Sequence, residues 1–448
     1  MQESDPALQR RRVKLVCSIA ALLGVALLSS ATPISTSAAE PLPRIGIRPG
    51  NPSAQFYVVA TGARFTPGGF SYTMLDPIAG RPNNPNRPTN AHVTFDPGFY
   101  NPSAMDAALA GIAGSGFNVI RVILDSGDSV HQARGAYGMA GPADSEGLYR
   151  PTVANLVDFL RRAREHHVYV IVATHAYPQN RGFRSLVQQG ALPHVAGTSQ
   201  YYFSPGGIRA KAEYERDIVS AVAAFDHGSL LSTVLAWEIQ VEMFVSDETE
   251  PFSLHSGTVQ TADGKTYDMG NPQARQECMD SNLINWANVV SAAIHSVDPQ
   301  ALTTAGFATY NAVHKAGPNG LIRTAGDSDQ RYVPRPLIFT RARAISFIDV
   351  HAYPKRNPNY NLASDLDSNE FSQWDIRNVP AVLGEYGANK RQFPDLGTAA
   401  AAARRQQEEA LRLGIAGTVY WTWNTAQEEW WSATEAGDGV LRSLVRPQ

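Results

Sequence analysis

Two cysteines in 448 residues leave little room for disulfide chemistry. Cys17 falls inside an N-terminal apolar run, and beyond that run Cys278 stands alone. No intrachain disulfide can form once the run is removed, so stability must come from a core. Positive charge is not in excess either: 38 Lys and Arg face 41 Asp and Glu, for a net charge of -3. A phosphate backbone needs a basic face, so nucleic acid is excluded as a partner while a neutral ligand is not. No glycine-rich phosphate loop follows the first strand-like run, which removes the doubly wound nucleotide-binding folds. His166 and His167 sit at an expected helix end, where cations complement the dipole. No His/Asp/Glu cluster has ligand spacing, so neither metal nor cofactor is expected. The chain has no internal repeat and no low-complexity tail.

No apolar stretch reaches the ~20 residues of a bilayer span. The longest, residues 15–28, follows Arg10-Arg11-Arg12-Val13-Lys14 and precedes a small-residue stretch ending Ser37-Ala38-Ala39. That order is a signal peptide over residues 1–39, implying bacterial export and a secreted body with no membrane contact after cleavage. The arginine cluster leaves the twin-arginine route open, and Cys17 lies too early to be a lipoprotein cysteine. Residues 40–53, rich in Pro and Gly, read as a linker or an extended lead-in. Residues 54–448 read as one domain, expected to be monomeric.

Apolar content of 43% describes a globular body long enough for one large barrel or two ordinary domains. Residues 56–59 and 64–65 suggest a hairpin, and residues 76–102 an unusually long proline-rich loop. Unbroken apolar runs then recur: around Phe70, and at 117–124, 168–175, 234–239, 301–306, 345–350, 381–383 and 417–421. Between them lie helical patterns, such as Met105, Leu109 and Ile112, or Val153, Leu156, Val157 and Leu160. Eight such strands separated by helices predict an α/β fold, a (β/α)8 barrel with a parallel sheet. The longest insertions, 178–209, 243–275 and 355–373, follow strands and would wall a cleft.

Two of these strands end in carboxylates. Ala381-Val382-Leu383-Gly384-Glu385 delivers one, and Trp237-Glu238-Ile239-Gln240-Val241-Glu242 another. Two glutamates at strand C-termini are what retaining hydrolysis of a glycosidic bond needs, one as nucleophile and one as acid then base. For retention their carboxyl groups should lie about 5–5.5 Å apart. Arg121 interrupts an apolar strand and needs a carboxylate there. That partner is either a catalytic glutamate kept ionised or an ordinary ion pair with Glu238. His175 ends one strand, and His351 and Tyr353 end another. Trp421 and Trp423 close the last strand, where strand alternation allows one to face inward as a stacking platform for a sugar. Trp430 or Trp431 offers a further platform.

Taken in order, Arg121, His175, Glu242, His351, Tyr353, Glu385 and Trp421 resemble glycoside hydrolase family 5, the cellulase family, within the clan of barrel glycosidases with catalytic glutamates after strands four and seven. The resemblance covers nearly all of the chain beyond the signal. It implies Glu242 as acid/base and Glu385 as nucleophile, a carbohydrate substrate, and polysaccharide degradation as the setting. Trp237-Glu238-Ile239 is similar to the Trp-Glu-Leu of the family's β-mannanases.

One position departs. Family members carry Asn immediately before the acid/base, bonded to the sugar 2-hydroxyl, and here that residue is Val241. Three readings stay open: Gln240 supplies the donor through a local shift, the substrate presents a different group, or catalysis is weakened. The expected function is thus a retaining β-glycosidase, endo-acting on mannan or glucan. The alternative is a glycosidase or transglycosylase for an unusual cell-envelope glycan or glycoconjugate. A non-catalytic sugar-binding barrel would tolerate loss of either glutamate, and both are present.

Overall fold

The computed structural model describes residues 39–78, 89–124, 137–175, 177–313, 321, 330–354, 360–424 and 429–447. The signal peptide expected over 1–39 lies outside them but for its last residue. Eight strands form the centre: β1 (Gly68–Tyr72), β2 (Val119–Leu124), β3 (Tyr169–Thr174), β4 (Val234–Glu238), β5 (Thr303–Ala308), β6 (Phe347–His351), β7 (Ala381–Tyr386) and β8 (Gly417–Tyr420). All neighbours are parallel, and pairing of β8 with β1 and of β4 with β5 closes the barrel. Each of the eight apolar runs read from the sequence is one of these strands.

A helix follows each strand: α1 (Pro102–Gly114), α2 (Arg150–Glu165), α3 (Pro205–Ala223), α4 (Pro272–His295), α5 (Pro336–Ala342), α6 (Leu362–Ser368), α7 (Leu396–Arg412) and α8 (Glu435–Ser443). Their starts are written in the chain. Asn101, Ser204 and Asn271 cap the backbone N–H groups of α1, α3 and α4, with proline as the next residue each time. A side-chain acceptor satisfies an orphan donor, and a proline at the first helical position loses no hydrogen bond.

Strand alternation sorts the barrel into layers. On β2, Ile120, Val122 and Leu124 face the helices, while Val119, Arg121 and Ile123 face inward. At the N-terminal end Val119, Phe347, Val382 and Val419 fill the interior, and Leu42, Ile45 and Phe56 pack beneath them. Residues 40–53, read as linker or lead-in, therefore belong to the same compact unit as the barrel. Ile45–Arg48 pairs antiparallel with Gln55–Val58, which pairs with Arg64–Phe65 to form a small sheet under the barrel. The next layer up holds Arg121, Glu238 and Asp349, all fully buried. Above it Ile123, Ala173, Val241, Tyr353 and Trp421 form a second apolar cluster at the mouth.

The insertions lie on the mouth side. Residues 178–209 contain a helix, Arg181–Gln189, and run into α3. Residues 243–275 contain a hairpin of Thr258–Gln260 with Thr266–Asp268. Their first strand, Val245–Ser246, pairs with Arg331–Tyr332 from the loop after β5. Of residues 355–373, the first five lie outside the described residues and the rest carry α6. Of the proline-rich 76–102 segment, residues 79–88 lie outside the described residues; on either side of them Leu75–Ile78 pairs antiparallel with Thr89–His92. Among the described residues no helix is long and apolar enough to cross a membrane.

Candidate active site

Arg121 organises the interior. Its Nε and Nη2 donate to Glu238 Oε2 and Oε1 at 2.6 and 2.8 Å, and Nη1 donates to Glu385 Oε1 at 2.6 Å. Arg121 is thus a buried ion pair with Glu238 that also contacts Glu385 at the mouth. A guanidinium suits the task because its rigid fork serves two carboxylates in fixed geometry. Space for these charges comes from small residues. A Cβ on Gly384 would lie 1.4 Å from Asp349 Oδ1, and one on Gly306 would lie 2.8 Å from Glu238 Oε1. Glu238 is fully enclosed: burial pushes its carboxyl up, Arg121 offsets this in part and Asp349 adds to it, leaving it at about 7.

Glu385 is held at both oxygens. Tyr353 Oη donates to Oε2 at 2.8 Å, opposite the Arg121 contact on Oε1. Burial and the Glu385 charge raise the Tyr353 phenol well above its ordinary range, so it remains a donor. Glu242 arrives by a different route. After β4 the chain is pinned to its neighbours, Val241 N–H to Thr174 O and Met243 N–H to Gly306 O. Between these anchors Glu242 takes a left-handed backbone with φ +42. For a residue with a Cβ that conformation carries strain, which surrounding structure must impose. The result turns Glu242 to the mouth, its side chain 32% exposed.

A carboxylate oxygen of Glu242, one of Glu385 and a ring nitrogen of His351 all lie within 4.8 Å of one another. His351 Nδ1 is 3.3 Å from Glu242 Oε1 and 3.5 Å from Glu385 Oε2. Arg331 Nη1 stands 3.7 Å from Glu242 Oε2. Burial disfavours a charge on Glu242, but His351, Arg331 and His175 outweigh it and draw the carboxyl down to about 2. Burial would likewise neutralise His351, yet Glu385, Asp349 and Glu242 raise it well above the usual imidazole range.

The other expected residues divide. His175 is exposed at the end of β3, its ring 5.3 Å from that of His92. Trp421 lies in the mouth cluster, with the His92 ring 6.3 Å away. Trp430 is half-buried and packs on Tyr353 at 4.5 Å. Trp431 ties its Nε1 to Phe393 O and lies under Lys390. Trp423 requires correction, since it is not at the mouth. It is buried between barrel and helices, its ring 5.0 Å from Phe70 and pressed on Gly111 of α1. Alternation along the last strand put one tryptophan inward and one outward, and Trp423 is the outward one. Gln240 also differs from its expected use. Its Nε2 donates to His175 O at 2.5 Å and Val241 O at 3.3 Å, which spends its donors on backbone.

Asp349, His92 and Arg331 were missed. Asp349 gave the same signal as Arg121, a lone charge in an apolar strand. His92 and Arg331 sit on short strands too brief to carry a readable period. A second group, Glu238, Asp349 and His351, also has metal-ligand spacing among the described residues. The Arg121 guanidinium lies against Glu238 and within 3.8 Å of Asp349, so a cation there would meet a positive charge already in place.

A protein-family model for cellulase, glycosyl hydrolase family 5, matches residues 82–427. No curated protein sequence gives a significant match. Among solved structures, the endo-β-1,4-mannanase of Thermotoga petrophila aligns with a TM-score of 0.53 at 15% identity, over 85% of this chain and 75% of that one. The β-mannanase of the blue mussel Mytilus edulis gives 0.49 at 15% identity, over 90% and 95%. The exo-β-1,4-mannosidase of Opitutaceae bacterium strain TAV5 gives 0.46 at 15% identity over 85% of this chain, which spans only 55% of that protein. With the closed parallel barrel and the family match over most of its length, the chain belongs to glycosyl hydrolase family 5 and is a retaining β-glycoside hydrolase acting on O-glycosyl bonds.

Proposed function

We propose that the protein is a secreted, endo-acting β-glycosidase of mannan or glucan that works by double displacement, with Glu385 as nucleophile and Glu242 as acid/base. The observation that supports the double displacement is the proximity of the two carboxylates, which each have an oxygen within 4.8 Å of the other. Retention requires about 5–5.5 Å between carboxyl groups, whereas inversion needs ~6.5–9.5 Å to seat a water. Glu385, fixed by Arg121 and Tyr353, attacks the anomeric carbon while Glu242 protonates the departing oxygen. Glu242 then takes a proton from water as it opens the glycosyl ester. The mouth cluster supplies Trp421 and Trp430 for the apolar faces of the sugar. Mannan is favoured by the Trp237-Glu238-Ile239 stretch, and it is the substrate class named for the Thermotoga petrophila enzyme that shares the fold.

A second reading rests on Val241. Its neighbours Ile123, Ala173, Tyr353 and Trp421 present an apolar surface beside the reacting carbon. Gln240, the candidate replacement donor, is spent on backbone. That surface suits a sugar whose 2-position is substituted or differs from glucose and mannose, as in a cell-envelope glycan or glycoconjugate.

Hydrolysis of defined glycans followed by NMR of the first-formed anomer tests the proposal. Retained β-product from mannan or glucan oligosaccharides is expected; inverted product, or no hydrolysis of any β-glycan, would refute it. Export and the monomeric state are tested by the N-terminus of the protein recovered from medium and by light scattering.

A further inference from the structure

Resting on the retaining-glycosidase reading of this site, we propose that Asp349 is a positioning residue which, through His351, stores the proton that Glu242 must deliver to the leaving oxygen.

Asp349 and His351 stand two residues apart on β6, so both side chains point inward. Asp349 is fully buried, and among the described residues neither of its oxygens has a donor within hydrogen-bond distance. Arg121 reaches it only at 3.8 Å, because its fork is already committed to Glu238 and Glu385. What Asp349 faces is His351 Nε2, 3.6 Å from Oδ1, and that nitrogen has no other hydrogen-bond partner among the described residues. A buried carboxylate without donors is costly unless a charge answers it. The cavity that admits it exists only because residue 384 lacks a Cβ.

The imidazole is thus flanked by anions on both nitrogens. Asp349 lies on the Nε2 side, and Glu242 and Glu385 on the Nδ1 side. Glu238 and Arg121 lie below, while Arg331 and His175 act on Glu242 from the loop after β5 and the end of β3. Either neutral tautomer would point a lone pair at a carboxylate. The doubly protonated ring satisfies both sides, and its raised proton affinity follows. These cations favour the ionised form of Glu242, although a general acid must carry a proton when the bond breaks.

Transfer of the Nδ1 proton to Glu242 Oε1, 3.3 Å away, leaves a neutral ring and a neutral acid. No net charge enters or leaves the pair. Glu242 gives that proton to the glycosidic oxygen as the anomeric C–O bond breaks and the ester to Glu385 forms. In the second step water adds to the anomeric carbon, the ester breaks, and the water's proton passes through Glu242 back to His351.

The test is Asp349→Asn in the full mature chain. Removing an anion 3.6 Å from the ring nitrogen should move the basic limb of the kcat/KM profile down by about one pH unit or more. Aryl β-glycosides with poor leaving groups should lose more than those with good ones, with KM little changed. A merely structural role would lower all substrates alike and leave the limb in place, and that result in a folded variant overturns the proposal. Imidazole 15N NMR of the wild-type protein gives an independent reading even if the variant does not fold. Both His351 nitrogens should remain protonated above pH 7, and a neutral ring at pH 7 would overturn the proposal. Absence of any glycosidase activity would instead sink the functional reading, while the NMR result still decides the state of His351.

Discussion

Val241→Asn puts the greatest pressure on the substrate assignment. The backbone is fixed on both sides of the change: Val241 N–H bonds Thr174 O at 2.9 Å, and its carbonyl accepts from Gln240. Only the side chain is therefore perturbed. Two methyl groups leave an apolar cluster, which costs about 1.5–3 kcal/mol for a buried valine. An amide left unpaired among Ile123, Ala173, Tyr353 and Trp421 adds roughly 1–3 kcal/mol. The melting temperature should fall in the absence of ligand. Activity depends on what the sugar offers. A free 2-hydroxyl would regain a hydrogen bond of ~1.5–3 kcal/mol to a charged transition state, roughly ten-fold or more in kcat/KM. The apolar surroundings lead us to expect the opposite: lower activity on the natural substrate and no such gain on unsubstituted oligosaccharides. Steady-state kinetics on mannan and glucan oligosaccharides, run beside thermal melts of the same samples, decide it. A ten-fold gain on either would refute this reasoning and make Val241 a handicap on a common substrate.

Glu385→Gln should remove turnover on every substrate, on the order of 10⁴-fold or more, since no other group forms the ester; near-normal turnover would reassign the nucleophile. Glu242→Ala should spare the first step for aryl glycosides with good leaving groups, and azide should rescue the second; a failed rescue would count against the acid/base role. Stability should respond to pH with opposite signs at two glutamates. Glu238, with its carboxyl raised to about 7, favours the fold fully below its unfolded value and loses that contribution as pH rises through 7. Glu242, drawn down to about 2, contributes above its unfolded value and loses it as pH falls towards 2. Denaturant midpoints across pH should therefore lose their fall between about 4.5 and 7 in Glu238→Gln; an unchanged slope would reject the raised value. Trp423→Ala should cost about 3–5 kcal/mol of stability with KM little changed, whereas Trp421→Ala should raise KM. A KM effect at Trp423 alone would return it to the site.

The barrel was legible because its strands are buried on both faces and so read as continuous apolar runs, from Val119 to Leu124 or from Phe347 to His351. Arg121 was legible for the converse reason, as a charge no such strand tolerates without a partner. Asp349 carried the same signal but was passed over, because its strand ended in the more conspicuous His351 and Tyr353. The sorting of Trp421 from Trp423 needed the exit register of β8, which two alternating tryptophans leave undecided. Arg331 lay beyond reach. It comes to Glu242 only because Val245–Ser246 and Arg331–Tyr332 pair across some 85 residues, and two-residue strands leave no period to read.

That two-residue pairing has a consequence for anyone recombining barrels of this kind. The segment carrying Glu242 and the one carrying Arg331 emerge from different strands, yet they share backbone hydrogen bonds and converge on one carboxylate. They form a single structural unit split in two by α4 and β5. Exchanging the stretch after β4 for that of a relative, while keeping the native stretch after β5, would break the pairing. The acid would then lose the cation that helps set its charge. Chimaeras that move both pieces together should keep their pH optimum, and those that move one should not.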